Sequence, residues 1–187
     1  MQRAGQLIAA HYQRVSVLHG AEHVVSLFFA DVAKMPEVKA LIRRYRCIYG
    51  VFGSGSMHKP YALFQDQTAL HNGGRKIGLI RAADTRMAGY FIAFNRMLRL
   101  RQALEATVTT PQWNDFMKTA GRQHSARINR VVSFMKDEEM WTALEMVIRV
   151  TLPCLRVLRL ADRADAGMDK LYYFVRKTDD FLERNAD

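Results

Sequence analysis

Two histidines, His19 and His23, bracket the first segment that could carry acid–base or ligand chemistry. His19 and Gly20 close the short β-branched run Val15-Ser16-Val17-Leu18, and His23 opens the apolar stretch that follows. Imidazole titrates near neutrality, and polar groups at a strand's carboxyl end are where α/β units place their sites. The partners for such chemistry are missing. No cysteine lies within zinc-ligand spacing of either histidine. Glu22 and His23 are adjacent, and helical neighbours point about 100° apart, so they make a weak dyad. There is no Ser-His-Asp elbow, phosphate-binding glycine loop or paired metal motif. Asp31 lacks a partnered carboxylate, and Asp137-Glu138-Glu139 and Asp179-Asp180 read as helix-end or surface charge.

A second chemistry is cationic. The 28 Lys and Arg outnumber 18 Asp and Glu, giving a formal net charge of +10. That balance favours a polyanionic partner, most simply nucleic acid. Arg75, Lys76, Arg81, Arg86, Arg96, Arg99 and Arg101 face only Asp84 between positions 75 and 101. Phosphate binding uses such clusters because each neutralised phosphate releases condensed counterions, and arginine adds bidentate geometry. A solvated helix face is the competing reading. Tyr90, Phe91 and Phe94 could stack on bases, but their helical spacing marks them as core.

The elements that must hold these groups are mostly helices. The 187 residues suit one domain, or one domain with a helical extension. No run of eighteen apolar residues exists, so no membrane span is expected. Residues 2–13 read as an amphipathic helix and not a secretory signal. Cys47 and Cys154 sit in apolar helical contexts, as buried free thiols of an intracellular protein would. After the 15–18 strand comes a helix over 22–34, ended at Met35-Pro36. Pro36 opens the next, over 36–52, where Val38, Leu41, Ile42, Tyr45, Ile48, Tyr49 and Phe52 recur at threes and fours. Its other face holds Lys39, Arg43, Arg44 and Arg46. GSGS at 53–56 reads as a flexible link.

Beyond Pro60 a short helix is stopped by Asn72-Gly73-Gly74, and the run from Arg75 to Arg86 is either extended or a docking loop. Thr85 is the expected N-cap of one long helix to about Val108, and Thr109-Thr110-Pro111 signals another start. A basic helix over 122–135 follows. Asp137 should cap the next, which Pro153 should kink or break. Arg149, Arg156 and Arg163 recur every seven residues along it, and Gly167 separates a last helix. Seven or eight helices stand against one strand. One strand cannot make a sheet, which suggests a piece of a larger protein.

Three stretches resemble hAT-type transposases. HGAEHVVSLFFADVAKMPEVKALI is similar to the segment after that family's second catalytic aspartate, where a Cys-x-x-His signature precedes an apolar helix; His23 matches the histidine and Gly20 replaces the cysteine. DTRMAGYFIAFNRMLRLRQALEATVTTPQW resembles the Thr-Arg-aromatic opening of the inserted helical domain, with Thr85 and Arg86 matching and Met87 replacing the aromatic. MWTALEMVIRVTLPCLRVLRLAD is similar to the proline-containing helix of that insertion. The resemblance implies an RNase H-like core interrupted by helices, with strand transfer by two aspartates and a glutamate holding two divalent ions.

On that alignment the chain starts after the second aspartate and stops before the glutamate. The expected fold is therefore mainly α, with a partial RNase H-like α/β element over 1–35 followed by a helical insertion domain over 36–187. The expected function is that of a catalytically incomplete transposase-derived protein with weak, residual DNA binding. No catalytic residue and no cofactor are expected, magnesium or manganese belonging only to the complete enzyme. His23 would lie beside the active site of that complete enzyme, and Lys76, Arg81, Thr85 and Arg86 are the DNA-binding candidates. The implied partners are DNA and a second copy or a full-length transposase, in the nucleus and away from membranes. A domesticated basic helical module that binds DNA or protein is the alternative.

Overall fold

Among residues 21–83, 88–161 and 168–184, which the computed structural model describes, every regular element is an α-helix. The mainly α expectation holds for them. The expected helix over 2–13 and the strand over 15–18, on which the RNase H-like element was built, lie outside the described residues. So do His19, Thr85, Arg86, Arg163 and Gly167.

In chain order the helices are α1 (Ala21–Val32), α2 (Pro36–Phe52), α3 (His58–His71), α4 (Ala88–Arg99), α5 (Arg101–Thr107), α6 (Pro111–Thr119), α7 (Arg122–Met135), α8 (Glu138–Ala161) and α9 (Met168–Glu183). Their packing centres on α2 and α8. Helix α8 lies against α1, α4 and α9, while α2 contacts α3, α7 and α8. The periodicity of α2 explains its place: Val38, Leu41, Ile42, Tyr45, Ile48, Val51 and Phe52 all bury. Two aromatic groups meet on it. Tyr45 packs edge-on against Phe94 (5.8 Å between centroids), which continues through Phe91 to Phe29. Phe52 stacks on Trp113 of α6 at 5.6 Å and meets Phe64 of α3 at 5.8 Å. Phe29 and Ala33, before residue 36, share this core with the later helices.

Of the three caps read from the sequence, Thr85 lies outside the described residues and the other two are present. Thr110 Oγ1 accepts from the Trp113 amide at 3.2 Å, and Asp137 Oδ1 accepts from the Met140 amide at 3.2 Å. Helix α3 starts at His58, earlier than expected, because Pro60 falls in its first turn, where no proline N–H is needed. It stops where expected: Gly73 and Gly74 take φ of +60° and +81°, which side chains resist, and the Gly74 amide returns to Ala69 O at 2.8 Å.

Two expectations are corrected. The helix foreseen as continuous to Val108 breaks at Leu100, whose amide is shared between Arg96 O (3.2 Å) and Met97 O (3.0 Å). The break lets α4 bury against α1 and α8 while α5 buries against α3, with Leu100 buried at the corner. Pro153, in contrast, does not break α8, which runs unbroken from Glu138 to Ala161. An interior proline costs about 3 kcal/mol, and burial of Leu144, Ile148, Leu155 and Val157 outweighs it.

The undecided run after Gly74 is a docked loop. Residues 75–83 carry no regular structure and form a strap across α2 and α3. Leu79 is buried. The Ile77 amide donates to Thr68 Oγ1 (3.1 Å), Gln65 Nε2 donates to Ile77 O (3.3 Å), and the Tyr45 hydroxyl donates to Ile80 O.

Candidate functional site

The solvent face of α2 carries Lys39, Arg43 and Arg46 at i, i+4 and i+7, which puts them in one row. All three are exposed, and neither Lys39 nor Arg43 forms an ion pair with a described residue. Arg44, read from the sequence as part of the same face, turns the other way. Its Nη1 donates to Asp137 Oδ2 at 2.6 Å, and its guanidinium lies over Phe134 at 5.3 Å. It joins α2 to the start of α8 and is not available to a ligand.

Two hollows adjoin this row and share Arg46 and Tyr90. The first, of about 520 Å³, has an apolar floor including Ala33 and Ile42, with Lys34, Lys39 and Arg43 at its rim. The second, of about 440 Å³, lies between the end of α2 and the strap. It is walled by Tyr45, Arg46, Tyr49, the Ser54-Gly55-Ser56 turn, Arg81 and Tyr90. Arg46 is held in place, because its Nε donates to Tyr90 Oη at 2.8 Å and its guanidinium lies over that ring at 5.4 Å. Arg81 is exposed and pairs with no described carboxylate. Burial, reinforced by the neighbouring Tyr49, pushes the Tyr45 phenol far above its ordinary range, so it serves as a neutral donor.

The turn that forms one wall is fixed and is not the flexible link its composition suggested. The Gly53 amide donates to Tyr49 O at 2.7 Å, Ser56 Oγ donates to the same carbonyl at 2.9 Å, and the Ser56 amide donates to Gly53 O at 3.1 Å. A side chain at Gly53 would stand 2.5 Å from Tyr49 O and 2.7 Å from the Tyr49 ring, so glycine is required by close approach.

The basic cluster expected between 75 and 101 is divided by the fold. Arg81 enters the hollow beside α2. Lys76, Arg96 and Arg99 line a different one, of about 500 Å³, on the other side of the strap. There Lys76 meets Asp66 at 3.1 Å in an exposed pair, and Arg96 Nη1 reaches Gly78 O at 3.4 Å. Arg101 is committed elsewhere, bonded to Glu105 (2.7 Å) and Glu138 and lying 4.9 Å over Trp141. Tyr90, Phe91 and Phe94 are core, as their spacing indicated. Thr85 and Arg86 lie outside the described residues, and His23 falls on α1 with its side chain outside them.

Cys154 is buried and Cys47 half-buried, both as free thiols, and burial raises the Cys154 thiol above its ordinary range. Among the described residues no three His, Cys, Asp or Glu side chains gather as metal ligands, and no helix is long and apolar enough to cross a membrane. The lining residues missed by the sequence reading are Tyr45, Tyr49, Ser54 and Ser56, while Tyr90, read as core, also lines both hollows. The one available signal was the i, i+4, i+7 row ending at the Gly-Ser turn. No family model, curated protein or solved structure matches the chain.

Proposed function

We propose that the chain is a basic helical DNA-binding module, related to hAT-type transposases but without strand-transfer chemistry of its own, and that it works in the nucleus. The observation that carries the DNA-binding part is the row Lys39–Arg43–Arg46, set beside two hollows rimmed by further cations. Lys39 and Arg43, exposed and paired with no described carboxylate, keep their field for an incoming polyanion. Phosphodiesters are the polyanion whose binding such a row favours, through counterion release. The transposase part stands on the three sequence stretches alone.

A salt titration of duplex binding, read by fluorescence anisotropy, tests the reading. Three phosphate contacts give a log–log slope of about −2.7, hence roughly 40-fold weaker binding at about 200 mM salt than at about 50 mM. The double substitution Lys39→Gln/Arg43→Gln should reduce that slope by about 2. A slope that the double variant leaves unchanged removes α2 from the interface. Incubation with manganese and DNA should give no nicking; nicking that copurifies with the chain would overturn the catalytic part.

A further inference from the structure

We propose that the hollow where α4 ends beside the strap is a site for a phosphate monoester, in which Asp66 competes with the ligand for Lys76. Arg96 and Arg99, three residues apart on α4, share one face of that helix, and Lys76 joins them from the strap in a hollow of about 500 Å³. No acidic side chain is among the described residues lining it. Neither arginine meets a described carboxylate. Arg96 Nη1 donates to the Gly78 carbonyl at 3.4 Å, and Arg99 is exposed with no partner among the described residues.

Lys76 is the compensated cation. Its Nζ lies 3.1 Å from Asp66 Oδ1, with the two side chains 61% and 62% exposed. Pairs so open to water contribute little, so an incoming anion displaces Asp66 easily. The carbonyl end of α4 offsets roughly half a positive charge, and with Asp66 counted as well an excess of about 1.5 remains. That excess fits a phosphate monoester, which carries about −1.5 to −2 near pH 7. A diester carries only one negative charge. Neutralising the excess is favourable in itself, because like charges three residues apart on a helix repel. No aromatic ring is among the described lining residues, so selectivity falls on the phosphate and not on a base. The hollow, within the roughly 300–1,000 Å³ of small-ligand sites, has room for the group bearing the phosphate.

A free ester and a DNA strand end both present this group; the second source rests on the DNA-binding reading and the first does not. Calorimetry on the full chain, at an ionic strength held constant with chloride, compares methyl phosphate, ribose 5-phosphate and dimethyl phosphate. The two monoesters should bind within about twofold of each other, and the diester about tenfold more weakly. Arg99→Gln should weaken both monoesters about tenfold. Asp66→Asn should tighten them about two- to fivefold, a gain that a misfolded chain would not give. Lys39→Gln/Arg43→Gln, on α2, should leave both unchanged. Duplexes differing only in a 5′-phosphate or 5′-hydroxyl identify the source. A phosphate preference that Arg99→Gln abolishes assigns the strand end, and duplexes that bind equally while the monoesters still bind assign the free ester.

The site is overturned by monoesters that do not bind above the chloride background, by a diester bound as tightly, or by an affinity that Arg99→Gln does not lower or Asp66→Asn does not raise. A duplex salt slope that still falls in Lys39→Gln/Arg43→Gln then leaves the DNA-binding reading standing. Monoesters that bind as expected while neither duplex binds do the reverse: the site stands with a free ester as its ligand, and the DNA-binding reading falls.

Discussion

Replacing Asp137 by alanine should remove two interactions at once, and the geometry allows them to be separated. Oδ1 caps α8 by accepting from the Met140 amide at 3.2 Å, while Oδ2 accepts from Arg44 Nη1 at 2.6 Å. Loss of such a cap costs about 1 kcal/mol. The ion pair, with each side chain about one-third exposed, is worth about 1 kcal/mol, the top of the range for surface pairs. Alanine should therefore cost about 2 kcal/mol, a fall in Tm of about 4–8 °C for a chain of this length. Asparagine caps as well as aspartate but carries no charge, so Asp137→Asn should lose only about 2–4 °C. A double-mutant cycle with Arg44→Met, which keeps an apolar stem over Phe134, should return a coupling of about 1 kcal/mol.

The pH dependence has a definite sign. Burial pushes the Asp137 carboxyl up, but the hydrogen bond from Arg44, with the Met140 and Glu139 amides, more than reverses this and leaves it below the ordinary range. A lowered folded value means the stabilisation is complete above the unfolded value, ~4. It is lost as pH falls through the folded one. The Tm difference between the native chain and Asp137→Asn should thus hold from about pH 7 to about 5 and shrink only below ~4. Circular dichroism melts across that range measure it. Equal losses for alanine and asparagine would refute the capping role, and zero coupling to Arg44 would refute the energetic link between α2 and α8.

Other perturbations address the walls of the site. Gly53→Ala should force Tyr49 and the turn apart at a cost of about 1–3 kcal/mol, read as a fall in Tm. Tyr45→Phe leaves Ile80 O without its donor and should cost about 1–3 kcal/mol, with faster hydrogen exchange at the Ile77 amide as the strap loosens. Because burial raises the Tyr45 phenol, its contribution is complete below the unfolded value, ~10, and is lost as pH rises through the folded one. An absorbance titration should therefore show one tyrosine that does not ionise until the protein unfolds in alkali.

Local signals made much of the helical framework legible. The threes and fours of α2, the caps at Thr110 and Asp137 and the aromatic stripe of α4 all follow from spacing and side-chain chemistry. What stayed hidden depended on contacts between distant residues. Nothing within the sequence around Leu100 marks a break, because no glycine or proline is there; two different burial partners impose it. Pro153 does mark a break, and tertiary burial overrides it. Arg44 shares its charge and helix with Arg43 and Arg46, and only Asp137, 93 residues away, separates it from them. The hollow at the end of α2 was hidden for the same reason, since its walls come from residues 45–56, Arg81 and Tyr90.

The sorting of cations has a thermodynamic consequence. Arg44 and Arg101 find carboxylates and ring faces within the fold, whereas Lys39, Arg43 and Arg81 meet no described carboxylate. Like charges at i, i+4 destabilise a helix by about 0.2–0.5 kcal/mol, so the unliganded α2 face opposes folding slightly. Added salt weakens that repulsion, because Lys39 and Arg43 are exposed to solvent and its counterions. Added salt alone should therefore raise Tm by a small amount. Bound DNA should raise it much further, by about 2.7 kcal/mol at a hundred times Kd, or roughly 5–11 °C. Added salt must erode that second increase, since it weakens the phosphate contacts. The same ion thus acts with opposite signs on the free and bound chain, and the two melting curves converge as salt rises. Curves that stay parallel would mean the cations of α2 neither repel one another in the free protein nor hold phosphate in the complex.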